Sequence, residues 1–292
     1  MTVLRLRREA GLSVRRLARS FELPVSRIGR WIGPARRRSS SSRRRCPVSG
    51  DGELRRTIQE LCLEERYQGY GYRRIWALLR RKGWRINRKT VWRIMREAGL
   101  SRPKIWHRRS RPKRVEKMQP VSADQAWQID MTSFQLADLT PLFLVVVTDC
   151  FTREIVGWTL DRRCRAAEWV SAVRQALEYR GWRHKGDLAA LVLRSDNGAQ
   201  PCSKRFAEYL GTVGIRGQYT GYNAPDDNAY VERVIRTIKE EEIWLNQYES
   251  WAEAHRAIDE YMRFYNEQRI HSALDYRTPK EFAQERTSLK AA

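Results

Sequence analysis

The sequence predicts an α/β domain preceded by all-α, strongly basic helical modules. Three observations carry this reading. Residues 1–120 hold 35 Lys and Arg against 9 Asp and Glu, a net +26, whereas residues 121–292 come to −3. Up to about residue 100, apolar residues recur at helical spacing. Beyond residue 121, three apolar runs of strand length follow one another and give way to alternating helical and strand-like segments.

Composition removes several classes. At 292 residues, 41% of them apolar, the chain has material for about two domains and a sizeable core, so a disordered polybasic chain is excluded. The longest purely apolar runs, Leu142 to Val147 and Leu188 to Leu193, are far short of the ~20 residues that cross a bilayer. Residues 1–11 contain no apolar signal core, and a soluble, cytoplasmic, nucleoid-associated protein is expected. Five scattered cysteines without Cys-x-x-Cys spacing, and four dispersed histidines, point away from a disulfide framework and from a sulfur- or imidazole-bound metal. A net charge of +23 concentrated at one end calls for a polyanion, because each Lys or Arg that neutralises a phosphate releases condensed counterions.

From the start of the chain, Val14, Leu17, Ala18 and Phe21 follow helical spacing behind Ser13 as N-cap. After a break at Pro24, Ile28, Trp31 and Ile32 form a second stripe behind Ser26. This helix pair, residues 1–35, leaves Arg27 and Arg30 outward, where a major-groove reader needs them. Six arginines around Ser39 to Ser42 make residues 36–50 a linker. Residues 51–100 read as a three-helix DNA-binding domain. Leu54, Ile58, Leu61 and Cys62 form its first stripe, and Ile75, Leu78 and Leu79 the second, which Gly83 ends. The third, capped by Asn87 and stopped by Gly99, turns Val91, Ile94, Met95 and Ala98 inward and Arg88, Lys89, Arg93 and Arg96 outward. Trp76, Trp84 and Trp92 read as core or rim aromatics. Residues 101–120 carry eight basic residues with Pro103 and Pro112, which suits either a solvated linker or an extended strap along a phosphate backbone.

Residues 121–287 supply the α/β domain. Strands are predicted over Trp127 to Phe134, Leu142 to Asp149, Glu154 to Leu160, Leu188 to Leu193 and Gly214 to Tyr219; helices over Ala166 to Arg180, Ser203 to Val213, Asn228 to Glu242 and Ser250 to Asn266. Three strands in succession, then helix and strand in alternation, is the order of the ribonuclease H-like fold.

Three acids fall where that fold does chemistry. Asp130 interrupts the first strand between Ile129 and Met131, where a charge is costly unless it binds something. Asp196 opens an Asp-Asn-Gly turn after an apolar run. Glu232, with 35 residues between it and Asp196, lies one turn into a helix capped at Asp227 or Asn228. Asp149 competes with them, but the segment Asp149 to Arg153 reads as the turn into the third strand.

With their flanking residues these acids make the chain resemble the DDE transposases and retroviral integrases, most closely the insertion-sequence-three (IS-three) family in its larger, catalytic OrfB-type reading frame. The matching segments are Trp127-Gln128-Ile129-Asp130-Met131-Thr132, Ser195 to Gln200, and Asp227 to Glu232 with Lys239 seven residues on. Also similar are Tyr265-Asn266-Glu267-Gln268-Arg269-Ile270-His271, then Leu274 and Thr278-Pro279, and upstream Tyr70 to Leu100. Together they cover about residues 53–283. Pro201-Cys202 departs from the family's Tyr-Thr type of pair and leaves the acids untouched.

The resemblance implies a ribonuclease H-like integrase catalytic core, a mixed five-stranded sheet with flanking helices, following helix-turn-helix domains. It implies a Mg²⁺-dependent transferase, with Asp130, Asp196 and Glu232 holding two ions and Mn²⁺ able to substitute. Lys239, on the same helical face as Glu232, and Arg236 at i+4 are expected to hold DNA phosphates. Asn197 and Asn228 are read as turn and cap residues, and His271 as structural. The expected partners are double-stranded DNA at terminal inverted repeats and target sites, further copies of the chain, and an upstream OrfA-type protein. The alternative is an inactive DNA-binding protein or repressor derived from a transposase.

Overall fold

The computed structural model describes residues 51–67, 69–101, 120–182, 188, 190–220 and 228–291. The helix pair of residues 13–32 with Arg27 and Arg30, the 36–50 linker, the strap over 102–119 and Asp227 as a cap all lie outside the described residues. Packing divides the chain into two compact units, residues 1–57 and 58–292. No helix among the described residues is long and apolar enough to cross a membrane.

Helices α1 (Asp51–Leu63), α2 (Tyr72–Arg81) and α3 (Arg88–Glu97) form where the three apolar stripes predict them. Leu54, Ile58 and Leu61 are buried in α1, Ile75, Leu78 and Leu79 in α2, and Val91, Ile94 and Met95 in α3. Each such side chain contributes about 1.5–3 kcal/mol when fully buried. Asn87 Oδ1 accepts the Lys89 amide at 2.9 Å and so caps α3. Ala98, expected inward, is exposed instead: it is the residue at which α3 unwinds, so the helical period no longer sets its direction.

The sheet contains β1 (Ala126–Gln135), β2 (Pro141–Asp149), β3 (Ile155–Asp161), β4 (Val192–Ser195) and β5 (Arg216–Tyr219), in the order β3-β2-β1-β4-β5. The β1–β2 and β2–β3 pairs are antiparallel, and the β1–β4 and β4–β5 pairs parallel. Alternation along β1 sends Trp127 and Ile129 into one core, with Val145 and Val147 of β2 and helices α4 (Ala166–Tyr179) and α5 (Lys204–Val213). The opposite face packs Leu144 and Val146 against α6 (Ala229–Glu241) and α7 (Trp251–Glu267). Helix α8 (Pro279–Ala291) follows. Gly157 in β3 is where α4 comes nearest the sheet: a Cβ there would stand 2.3 Å from the Ala172 carbonyl oxygen, so the approach requires glycine.

Two strands differ from their predicted spans: β5 begins at Arg216, because Gly214 is the left-handed C-cap of α5, and β4 differs more. The apolar run over residues 188–193 suggested a strand throughout, yet β4 begins at Val192, where the ladders to Ala126–Gln128 and to β5 begin. Leu188 and Leu191 are buried by packing with Trp169 and Phe206, not by strand pairing. Apolarity reports burial, and here burial and pairing part company.

Candidate active site

Asp130 lies mid-strand on the α6 and α7 face of the sheet, opposite Val146 of β2. One of its oxygens accepts its neighbour's amide, Met131 N to Oδ1, at 2.7 Å. Its pKa is raised to about 6, first by burial and then by the negative charges of Asp196 and Glu232, against the Met131 hydrogen bond and the Lys239 ammonium, which lower it. Two acids distant in sequence, and one lysine, are therefore near enough to act on this one carboxyl.

Asp196 follows the last residue of β4 and is exposed. Its Oδ1 accepts the Gly198 amide at 3.2 Å. A Cβ at position 198 would sit 3.2 Å from that same oxygen, so glycine lets the carboxylate fold back over its own turn. Asn197 Nδ2 donates to the Thr220 carbonyl at 2.8 Å, and Thr220 N donates to Ser195 O, which fastens the turn to the end of β5. Asn197 is a turn residue, as expected. Glu232 is exposed in the first turn of α6, where the helix dipole favours a negative charge.

Asp149 has a pKa of about 6 as well, raised first by burial, but its surroundings differ. It is fully buried and accepts three backbone amides: Asp124 at 2.6 Å, Phe151 at 2.8 Å and Thr152 at 2.7 Å. Its oxygens are occupied in building the turn into β3. A shifted pKa alone does not separate the two aspartates; their hydrogen-bond partners do.

Residues 120–224 match the model of an integrase core domain, residues 213–279 a second integrase core model, and residues 50–110 an HTH-like domain. The transposase of insertion sequence element IS904 from Lactococcus lactis is 34% identical over 175 residues, 59% of this chain and 67% of that protein. A 31.7 kDa protein of insertion element IS407 from Burkholderia multivorans is 30% identical over 230 residues, 77% of this chain and 79% of its own length. The chain belongs to the insertion-element transposases. It thereby falls in the DDE transposase and integrase superfamily, and its integrase core implies polynucleotidyl transferase activity in DNA transposition. Among solved structures, the HTLV-2 integrase catalytic core in complex with magnesium covers 56% of this chain and 99% of that one, with a TM-score of 0.43 and 17% identity.

Around the transposase's acids the remaining expected residues divide. Lys239 is half-buried and acts on Asp130. Arg236 is turned to Glu240, Nε to Oε1 at 2.7 Å. On α3, Arg88 lies 4.5 Å over the Trp76 ring, Arg96 5.4 Å over that of Trp92, and Arg93 pairs with Glu97 at 3.8 Å; Lys89 is exposed. Trp92, 43% exposed, is a rim residue. His271 packs edge-on against Tyr265 at 4.8 Å and meets Arg269 Nη1 at 3.1 Å, a structural setting.

Two features escaped the sequence reading. Asn228 holds the N-cap position of α6 without capping it: its Nδ2 reaches the Ile129 carbonyl at 3.5 Å, and its side chain takes none of the helix's amides. Those amides go to Gln128, a buried residue of β1 whose place in the Trp127-to-Thr132 motif assigned it no role. Among the described residues no group of three or more His, Cys, Asp or Glu side chains is drawn together as a ready metal cage. The donor set nevertheless suits a hard cation: carboxylate oxygens only, with Asp130 carrying the repulsion of two other acids.

Proposed function

We propose that this transposase is a metal-dependent DDE enzyme that binds the terminal inverted repeats of its element, cuts a phosphodiester at each end and transfers the freed strand to target DNA. The observation that carries the reading is the meeting of three elements at Asp130, where acids from the turn after β4 and the first turn of α6 raise the cost of its charge. Like charges brought together in a partly buried site are held there at a cost in stability, and a cation between them offsets it.

Asp130, Asp196 and Glu232 would together hold two Mg²⁺ ions; Mn²⁺ has the same preference for oxygen and fits the same residues. When bound, the ions make the attacking oxygen more nucleophilic and stabilise the departing one. The chain's own residues bind and orient. Lys239 supplies a positive charge beside Asp130, suited to a phosphate next to the scissile bond. Arg236 joins it on leaving Glu240. Arg88, Lys89, Arg93 and Arg96 of α3 face the duplex, and Arg27 and Arg30 add a second basic contact. Two element ends must meet, so a homo-oligomer is expected, alone or with an upstream OrfA-type protein. The presence of all three acids favours the enzyme over a repressor derived from one.

Nicking of a duplex carrying the element's end, in Mg²⁺, tests the reading. Asp196→Asn removes an exposed charge without disturbing a core, so the variant keeps its fold and loses about a thousandfold or more in rate. Equal rates for variant and parent overturn the assignment of the acids.

A further inference from the structure

A helix begins with amides that have no partner inside it, and the N-cap side chain ordinarily takes one of them. Helix α6 is different. The Oε1 of Gln128 accepts both the Tyr230 amide at 3.0 Å and the Val231 amide at 3.1 Å. Gln128 is 1% exposed and sits two residues before Asp130, on the same face of β1. Its backbone is held from both sides, paired with Thr148 of β2 and with Arg194 of β4. One rigid strand therefore carries Asp130 and also grips the helix that carries Glu232, at the two residues immediately before it.

We propose that Gln128 is a positioning residue of the active site: its amide oxygen fixes the depth and rotation of the α6 N-terminus, and so sets Glu232 against Asp130. The inference rests on the reading of Asp130, Asp196 and Glu232 as the catalytic acids. Two bonds from one oxygen restrain the helix both along its axis and about it. Asn228, its other tether to β1, reaches only 3.5 Å and leaves its own Oδ1 buried without a hydrogen-bond partner among the described residues. Without Gln128, two amides at a packed helix start lose their acceptor and the helix shifts toward water to recover one. A displacement of about 1 Å at a reacting group is enough for a hundredfold loss in rate. The choice of side chain is explained too. Glutamine brings the acceptor without a charge, whereas a carboxylate would add a fourth negative group beside three acids.

The test compares the full chain with Gln128→Leu and Gln128→Glu by four measurements: hydrogen exchange of the Tyr230 and Val231 amides, nicking rate against DNA and Mg²⁺ concentration, DNA affinity in EDTA, and melting temperature. For Gln128→Leu, exchange of those amides speeds up at least tenfold and kcat falls about 10- to 100-fold, with half-saturating Mg²⁺ raised about tenfold. KM for DNA and affinity in EDTA stay within about threefold, since most of the proposed DNA contacts lie on elements other than α6. Gln128→Glu keeps the acceptor, hence the amide protection, while the charge it adds beside the three acids lowers the rate. Unchanged kcat and Mg²⁺ dependence in Gln128→Leu overturn the proposal, as does a loss of rate matched by equal losses of DNA affinity and melting temperature. If Gln128→Leu does not fold, Gln128→Glu decides by exchange: Tyr230 and Val231 amides that exchange within tenfold of the parent support the proposal, and faster exchange overturns it. Should Asp196→Asn prove fully active, it is the reading of the acids that fails, and the exchange measurement still reports whether Gln128 holds the helix.

Discussion

Asp130 of β1 and Glu241 of α6 are both partly buried carboxyls, and their surroundings are opposite in sign. Around Glu241 the carboxylate is saturated: Arg269 donates to both oxygens at 2.7 Å, Arg74 of α2 adds a bond at 3.3 Å and the Tyr261 hydroxyl another at 3.1 Å. Burial would raise the Glu241 pKa, yet the hydrogen bonds and charge of Arg269, with Arg74 and Tyr261, hold it below the ordinary range. Around Asp130 burial comes first, the charges of Asp196 and Glu232 add to it, and the Met131 amide and Lys239 oppose them, so that its pKa is driven up to about 6. A carboxyl is spent on cohesion in one place and crowded by like charge in the other. Paired charge holds a fold together; crowded charge is the environment in which perturbed, functional carboxyls are found.

Substitutions at the two carboxyls should separate these roles. The largest effect is expected at Asp130. Asp130→Asn abolishes nicking, by about a thousandfold or more, while the melting temperature stays level or rises, because a partly buried repulsive charge has been removed. A fall of several degrees would mean that Asp130 serves the fold. At Glu241 the order is reversed. Glu241→Gln leaves the Arg269 guanidinium, only 3% exposed, without its counter-charge and costs about 3–5 kcal/mol in urea unfolding. The rate per folded molecule changes by only a few-fold, and a catalytic loss as large as that of Asp130→Asn would erase the distinction.

The smallest effect belongs to His271, beside Arg269. Burial, then the charges of Arg269, Arg74 and Arg153, push its pKa well below 6.5. Below pH 6.5 the unfolded chain takes up a proton that the folded chain refuses, so this group's stabilising contribution is whole above that pH and is lost as pH falls toward 5. His271→Gln should flatten the dependence of melting temperature on pH between 7.5 and 5.5, by a difference of up to about 1 kcal/mol. Identical slopes would show that His271 titrates normally.

Much of the chain could be read before any coordinates, for a local reason. Apolar runs of strand length mark β1 to β3 to within a residue or so, since both faces of these strands meet a core. Helical spacing marks α5, α7 and α3, and in the structure Ser203, Ser250 and Asn87 each cap their helix by accepting an amide of its first turn. Asp130 stood out because a charge inside an apolar strand needs a purpose. The β4 span misled because Leu188 and Leu191 are apolar for packing, and a linear pattern does not say which neighbour covers a side chain.

What the sequence determined by itself is therefore what neighbours in the chain decide: the periodicity of each element, the turn at Asp196 to Gly198, the concentration of positive charge before residue 120, and the identity of three unusual acids. Only the tertiary structure decided which groups meet. It brings Gln128 to amides about a hundred residues away, joins Arg74 of α2 to Glu241 and Arg269, and gives Asp149 three amides where Asp130 has one and two acids for company. The physical reason is that periodicity and capping are set within a turn or two of backbone, whereas hydrogen bonds and charges act between whatever the sheet order brings close.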